Sequence, residues 1–186
     1  MPTTKASGTL LAYLQRAKIP IQIDIGFGDI VTPAPSEIGY PTLLEFPGPR
    51  LLAYPKEAVV AEKFEALGKL GIANTRMKDF YDLEILSRTF EFEGKILAQA
   101  IQNTFQKRGT DLPMAGLPVA FTSEFYDDAN KKRQWTAFCA KNKSYVENAE
   151  FKAVMEDIRN FLALPVRTVP EGHSFTKRWK PGGPWR

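Results

Sequence analysis

Lys63, Asp79 and Asp82, with Arg76 and Asp24, are the residues of this sequence whose types and spacing suit chemistry. They lie in two stretches, QIDIGFGD at 22–29 and AEKFEALGKLGIANTRMKDFYDL at 61–83. A lysine can meet phosphate, and carboxylates can meet Mg²⁺ or a reacting hydroxyl, so the set suits a site that takes an anionic group with its metal. The competing reading is structural: two consecutive helices pack and Lys63 or Arg76 neutralises Asp79 between them, or Lys63 buries its stem and reaches water. A buried pair gains little over apolar packing, because desolvation offsets the attraction, so charges at a packing face also invite a functional reading.

The elements that must position these residues follow from hydrophobic period. IPIQIDIGF alternates from Ile19 onward, which puts Ile21, Ile23, Ile25 and Phe27 on one strand face and Asp24 on the other. Residues 9–18, TLLAYLQRAK, are too short an apolar run for period to decide between helix and strand. The proline-rich section 31–55 has room for two short strands, near TLLEF and RLLAY. After Tyr54-Pro55 the period becomes 3.6 and predicts a helix over 55–70, ended by Gly71. Asn74 or Thr75 can cap a second helix over RMKDFYDLEILSRTF.

Winding the first helix at about 100° per residue places Lys63 in the middle of the arc of Val59, Val60, Phe64, Ala66, Leu67 and Leu70. On the second, Asp79 and Arg76 fall within the stripe of Phe80, Leu83, Leu86 and Phe90, with Asp82 at its edge. Further helices are predicted around GKILAQAIQNTFQKR, ANKKRQWTAFCAKN and ENAEFKAVMEDIRNFLAL, followed by an irregular tail.

Composition limits the chemistry. A chain of 186 residues, 44% hydrophobic, is long enough for one sizeable core. Its single Cys139 excludes a disulfide framework and a cysteine-rich zinc site, and its single His173 excludes a histidine cluster. Cys139 reads as a packing residue and His173 as incidental. No apolar run approaches the ~20 residues that span a bilayer, and MPTTKASGT is unlike a secretory signal, so a cytoplasmic location is expected. A net charge of +4 permits a phosphate-bearing partner without demanding one. KKRQW at 131–135 and TKRWKPGGPWR at 176–186 mix basic and aromatic residues, which suits phosphates and stacked bases, although tail tryptophans more often pack back on a domain.

Taken together, QIDIGFGD, YPKEAVVAEKFEAL and the R-x-K-D-F-Y-D-L element resemble the AbiEii/AbiGii toxin family of nucleotidyltransferase-like proteins, distant relatives of DNA polymerase β. The resemblance runs from about Ile19 through the helices to the W-x-x-F segment at Trp135 and the closing tail. It implies an α+β fold: the remnant of a small mixed nucleotidyltransferase sheet over 1–54, a helical region carrying the lysine and aspartate motifs over 55–165, and a basic, aromatic tail over 166–186.

By the same resemblance, Asp24 matches a sheet carboxylate that binds Mg²⁺ and aligns the attacking hydroxyl. Lys63 matches a phosphate-contacting helix lysine, and Asp79 and Asp82 the paired aspartates of the final motif. Arg76 holds that motif or meets substrate, with Glu62 a weaker candidate. The implied activity is transfer of a nucleotide from a nucleoside triphosphate to an acceptor hydroxyl, such as a tRNA end, in a toxin–antitoxin or abortive-infection system with a cognate antitoxin.

The family's Gly-Gly or Gly-Ser turn and Asp-x-Asp strand do not stand before Asp24. The sequence therefore reads as the later portion of such an enzyme, by a late start codon, a split gene or a degraded paralogue, and is expected to be inactive alone. The alternative is a non-catalytic remnant that binds RNA or antitoxin.

Overall fold

The computed structural model describes residues 4–28, 31–112, 117–147, 149–171 and 175–186. The fold is α+β, with antiparallel two-stranded sheets and a helical C-terminal part. It divides into two compact units, Met1–Ile30 and Val31–Arg186.

The first unit is a hairpin of β1 (Thr4–Leu14) and β2 (Ala17–Phe27). Residues 9–14, open to either reading in sequence, are strand because they pair along their whole length with β2, Leu10 opposite Ile21 and Leu14 opposite Ala17. The two-residue turn places Gln15 at φ 53°, the left-handed conformation that tight hairpin turns require. The register puts Ala6, Gly8, Leu10 and Ala12 on the same face as Ile19, Ile21, Ile23 and Ile25, and Ser7 opposite Asp24 on the other.

The second unit opens with β3 (Ser36–Gly39) paired to β4 (Arg50–Ala53). The expected strand at TLLEF, residues 42–46, does not form. These residues bend instead, with Thr42 Oγ1 donating to the Phe46 carbonyl at 3.2 Å. Pro41, Pro47 and Pro49 crowd the segment and withhold the N–H groups a ladder needs, so Ser36–Gly39 takes the pairing position.

Among the described residues five longer helices build the core: α1 (Lys56–Leu70), α2 (Met77–Thr89), α3 (Gly94–Arg108), α5 (Ala129–Lys141) and α6 (Phe151–Glu171), with a single turn, α4 (Ser123–Tyr126), before α5. Two of them, α1 and α5, begin at a boundary legible in sequence, whereas α2 starts after Arg76 rather than at a cap by Asn74 or Thr75. Pro55 caps α1, and Asp128 caps α5 by accepting from the backbone N–H groups of Asn130 and Lys131. Gly71 at φ 49° closes α1. Phenylalanines carry the packing: Phe64 meets Phe105 between α1 and α3, and Phe80 meets Phe151 edge-on between α2 and α6.

Two expectations are corrected here. The last helix does not stop near residue 164 but continues through Pro165 to Glu171, and the tail is not irregular throughout. Residues Arg178–Trp179 form β6, paired with β5 (Phe92–Glu93), and Trp179 and Trp185 are buried.

One hydrogen-bonding requirement links both corrections. Pro165 has no N–H to offer the carbonyl four residues earlier, and that carbonyl, Phe161 O, instead accepts the Trp185 indole N–H at 2.8 Å. Trp179 likewise donates to Ser87 O at 2.7 Å, in the last turn of α2 where carbonyls lack intrahelical partners. The tail is ordered because its two tryptophans satisfy helix carbonyls while filling apolar space around Phe161.

Trp185→Phe keeps an aromatic ring but removes the donor and part of the buried indole, and the orphaned carbonyl alone should cost about 1–3 kcal/mol, with the cost of the void added to it. Pro165→Ala returns an intrahelical N–H to Phe161 O, so the cost of Trp185→Phe should shrink in that background. A urea double-mutant cycle reads the coupling, and strict additivity would show that the carbonyl does not depend on Trp185.

Candidate functional site

Helices α1 and α2 are joined by a one-turn 3₁₀ segment, Gly71–Ala73, and pack against each other. Their contact is ionic at its solvent edge. Lys63 Nζ on α1 lies 3.0 Å from Asp79 Oδ1 and 2.6 Å from Asp82 Oδ2, both on α2. Asp79 and Asp82 are three residues apart, so they share one helix face and can converge on a single ammonium. Arg76 Nε stands 2.8 Å from Asp79 Oδ2. This is a contact of charges rather than an aligned hydrogen bond, since that oxygen accepts none. Lys78 Nζ reaches both oxygens of Asp82, at 2.9 and 2.7 Å.

Burial grades across this cluster. The side chain of Asp79 is 5% exposed and that of Lys63 20%, whereas Arg76 and Lys78 are 60% and 64% exposed. The helical-wheel placement of Asp79 in the packed stripe and Asp82 at its edge holds. Arg76 is a correction: it does not lie in the apolar stripe. It is the residue before α2, at φ −83° and ψ 67°, so helical winding does not extend to it and its guanidinium swings outward over Asp79. Lys63 also sits at the margin of the α1 arc rather than its middle, because the fully buried positions are Val60, Ala61, Phe64 and Leu67 while Leu70 is exposed.

Burial, the largest single influence on Lys63, lowers its pKa. Hydrogen bonds and charges from Asp82 and Asp79 outweigh it, and the net shift is upward from 10.5. The ammonium is therefore held protonated.

Glu62 and Asp24 have partners of their own. Glu62 faces α3, where Arg108 Nη2 lies 3.0 Å from its carboxylate, and neighbouring Glu65 takes Arg108 Nη1 at 2.8 Å. Asp24 belongs to the hairpin unit, where Ser7 Oγ donates to it at 2.6 Å and Gln22 Nε2 at 3.0 Å. Within the second unit the structure thus brings together Lys63, Arg76, Asp79 and Asp82, and pairs Glu62 with Arg108.

Sequence reasoning missed Lys78, although its i, i+4 spacing to Asp82 is legible. It read Asn74 as a cap of the second helix, whereas the cap position is Arg76 and no side chain caps it, and it read Lys131 only as part of a basic segment. Asn74 Oδ1 accepts the Arg76 backbone N–H at 2.7 Å, and buried Lys131 donates to Asn74 O at 2.6 Å, which together fix the turn that presents Arg76. A contact spanning 57 residues carries no local sequence signal.

Beside the cluster runs an open groove of about 560 Å³, with Arg76, Lys78 and Asp79 on one wall and Gln134, Ala137 and Phe138 on the other. The groove itself is lined by two cations, Arg76 and Lys78, and one carboxylate, Asp79, and the cluster beside it adds Lys63 and Asp82. Three cations, Lys63, Arg76 and Lys78, meet two carboxylates, and both carboxylates are already engaged by cations. A Mg²⁺ ion needs oxygen ligands not committed to ammonium or guanidinium groups. The carboxylates of this cluster, Asp79 and Asp82, do not by themselves fit Mg²⁺, and no group of three or more candidate metal ligands forms among the described residues.

The basic, aromatic segments are not a stacking platform. Trp135, Trp179 and Trp185 are each buried, Trp135 stacking on Phe151 and donating to Ala149 O. Lys131 lies over the Phe125 ring. Cys139 is buried, and burial pushes its thiol pKa up, as suits a packing residue. His173 lies outside the described residues.

The protein-family model described as nucleotidyl transferase AbiEii toxin, type IV toxin–antitoxin system, matches residues 3–157. The chain belongs to this family. Its membership makes it a nucleotidyltransferase-type toxin of a type IV toxin–antitoxin system, for which an antitoxin partner is implied. No curated protein and no solved structure matches it. Among the described residues no helix is long and apolar enough to cross a membrane.

The raised pKa of Lys63 fixes the sign of a pH test. A group whose pKa rises on folding contributes stability that is complete below its unfolded value, here about 10.5, and lost as pH climbs through the higher folded value. Lys63→Met should lower stability at neutral pH by up to the ~3–5 kcal/mol of a broken buried pair. Melts of variant and wild type should then converge towards pH 12. A gap unchanged from about pH 8 to about pH 12 would mean that charge is not what Lys63 contributes.

Proposed function

We propose that this chain supplies the phosphate-binding side of a nucleotidyl transfer, in which a nucleoside triphosphate lies along the groove beside Arg76 and Lys78. The observation that carries the reading is the charge of the cluster: three cations against two carboxylates, with the two most exposed cations at the groove. In the reaction an acceptor hydroxyl attacks the α-phosphorus. A new O–P bond forms, the bond to the β-phosphate oxygen breaks, and pyrophosphate leaves. Positioning and electrostatics do most of the work in such transfers. Arg76 and Lys78 offset the charge that grows on the leaving group, while Lys63, held by Asp79 and Asp82, locks α2 in the orientation that presents them.

The groove lies within the ~300–1,000 Å³ of small-molecule sites, so a nucleotide is of suitable size. Asp24 as the group that aligns the acceptor, Mg²⁺ in the assembled reaction, RNA such as a tRNA end as acceptor, and a cytoplasmic setting enter the proposal from the family resemblance alone. No Asp-x-Asp pair occurs in the 186 residues, so binding without transfer is the expected behaviour of these residues by themselves. A non-catalytic RNA- or antitoxin-binding role is the second reading.

Calorimetry with inorganic triphosphate at low ionic strength tests the site. Binding is expected, weakened about tenfold by Arg76→Ala or Lys78→Ala, the loss of one charge-assisted contact. An affinity that the double variant leaves unchanged would remove the groove from the reading. Incubation with radiolabelled nucleoside triphosphate and RNA tests the second half: label transferred by the unaltered chain would show that the missing carboxylate pair is not needed.

A further inference from the structure

A second cleft, of about 240 Å³, opens on α2 among residues that the phosphate cluster does not use. It is bounded by Tyr81, Trp135 and Tyr145, floored by Glu84 and rimmed by Glu147 and Arg88. At this volume it falls below the range of cofactor pockets and suits one side chain.

Its chemistry is that of a cation site. The ring donors of its walls are committed: Tyr81 Oη donates to Tyr145 O at 2.7 Å, Tyr145 Oη to Asn142 Oδ1 at 2.7 Å and Trp135 Nε1 to Ala149 O at 2.8 Å. With those donors committed, the acceptors of the lining are the carboxylates of Glu84 and Glu147, and of the rings only Tyr145 is largely exposed, meeting Tyr81 edge to face at 5.9 Å. Aromatic faces attract guanidinium and ammonium groups. The charged lining consists of two carboxylates and one guanidinium. Electrostatics agrees: burial first, and then the charges of Glu84, Tyr145, Asp82 and Glu147, push the Tyr81 phenol upward.

The chain's own Arg88 shows the preference of this floor. Glu84 is buried, and Arg88 Nη1 donates to Glu84 Oε1 at 2.8 Å while about half of the Arg88 side chain remains exposed. An exposed guanidinium one helical turn away is an internal occupant that a tighter-fitting one can displace.

We propose that this cleft is a docking site for an arginine side chain of a partner polypeptide, which replaces Arg88 on Glu84 and lies against Tyr81 and Tyr145. Charge complementarity commits the occupant to a cation. The exposed Ile85 and Tyr145 beside the opening give the adjoining peptide an apolar rest.

The test uses the full chain and the peptide acetyl-Gly-Arg-Gly-amide, followed by NMR on the Trp135 indole N–H. Weak binding to the wild type is expected, at least tenfold tighter in Arg88→Ala because the internal competitor is gone. Glu147→Gln and Tyr145→Ala, both on the exposed rim, should each weaken it severalfold. They keep the proposal testable should Glu84→Gln fail to fold. No binding to a folded Arg88→Ala variant would overturn the proposal. So would an affinity insensitive to both rim variants, or spermidine binding more tightly than the arginine peptide, which would mark the cleft as a polyamine site instead.

Discussion

The ammonium of Lys63 bridges α1 and α2 at the solvent edge of their shared apolar core, and the arrangement of the candidate site depends on that contact. Placed between Asp79 and Asp82, it neutralises two carboxylates that would otherwise repel each other on one helix face, and it does so at the solvent edge, where the desolvation cost is partial. The structural and functional readings of this lysine are therefore not alternatives. As the pair that fixes α2 against α1, it sets where Arg76 and Lys78 project. Those two, not Lys63, carry the exposed positive charge at the groove.

The same economy recurs at the chain end. Pro165 inside α6 leaves Phe161 O without its helical donor, and Trp185 supplies one from the tail. Trp179 does the same for Ser87 O at the end of α2. Residues that look like a basic, base-stacking tail in sequence are used instead to satisfy backbone carbonyls and to close the core around Phe92, Phe161 and Phe175. A tryptophan in such a role cannot also present its face to a nucleobase.

The helices were legible because period, caps and breakers agreed. Proline before α1, glycine after it and an apolar stripe along α2 all point to the same boundaries. The convergence of Lys63 with Asp79 was legible for the same reason, since two helices with charges on their packing sides must bring those charges together. What could not be read depended on contacts distant in sequence. Lys131 bracing Asn74, Trp185 compensating Pro165 and Ser36–Gly39 rather than TLLEF pairing with β4 all require knowledge of which segments meet. Arg76 was misplaced for a local reason: a helical wheel assumes helical dihedrals, and the residue before α2 does not have them. Asp24 shows the limit of a motif. Its strand and face were correct, Ser7 and Gln22 are among its neighbours on the hairpin, and its catalytic assignment comes from family resemblance only.

The central claim, that Lys63 is a protected, charged pivot between two aspartates beside the groove proposed to take phosphate, is tested most directly by ¹⁵N NMR of lysine side chains. An ammonium held by two carboxylates exchanges its protons slowly enough to be seen. The account predicts a resolved Lys63 NH₃⁺ resonance at neutral pH that disappears in Asp79→Asn/Asp82→Asn and shifts when inorganic triphosphate fills the groove. A Lys63 signal indistinguishable from those of solvent-exposed lysines, and indifferent to both changes, would contradict it.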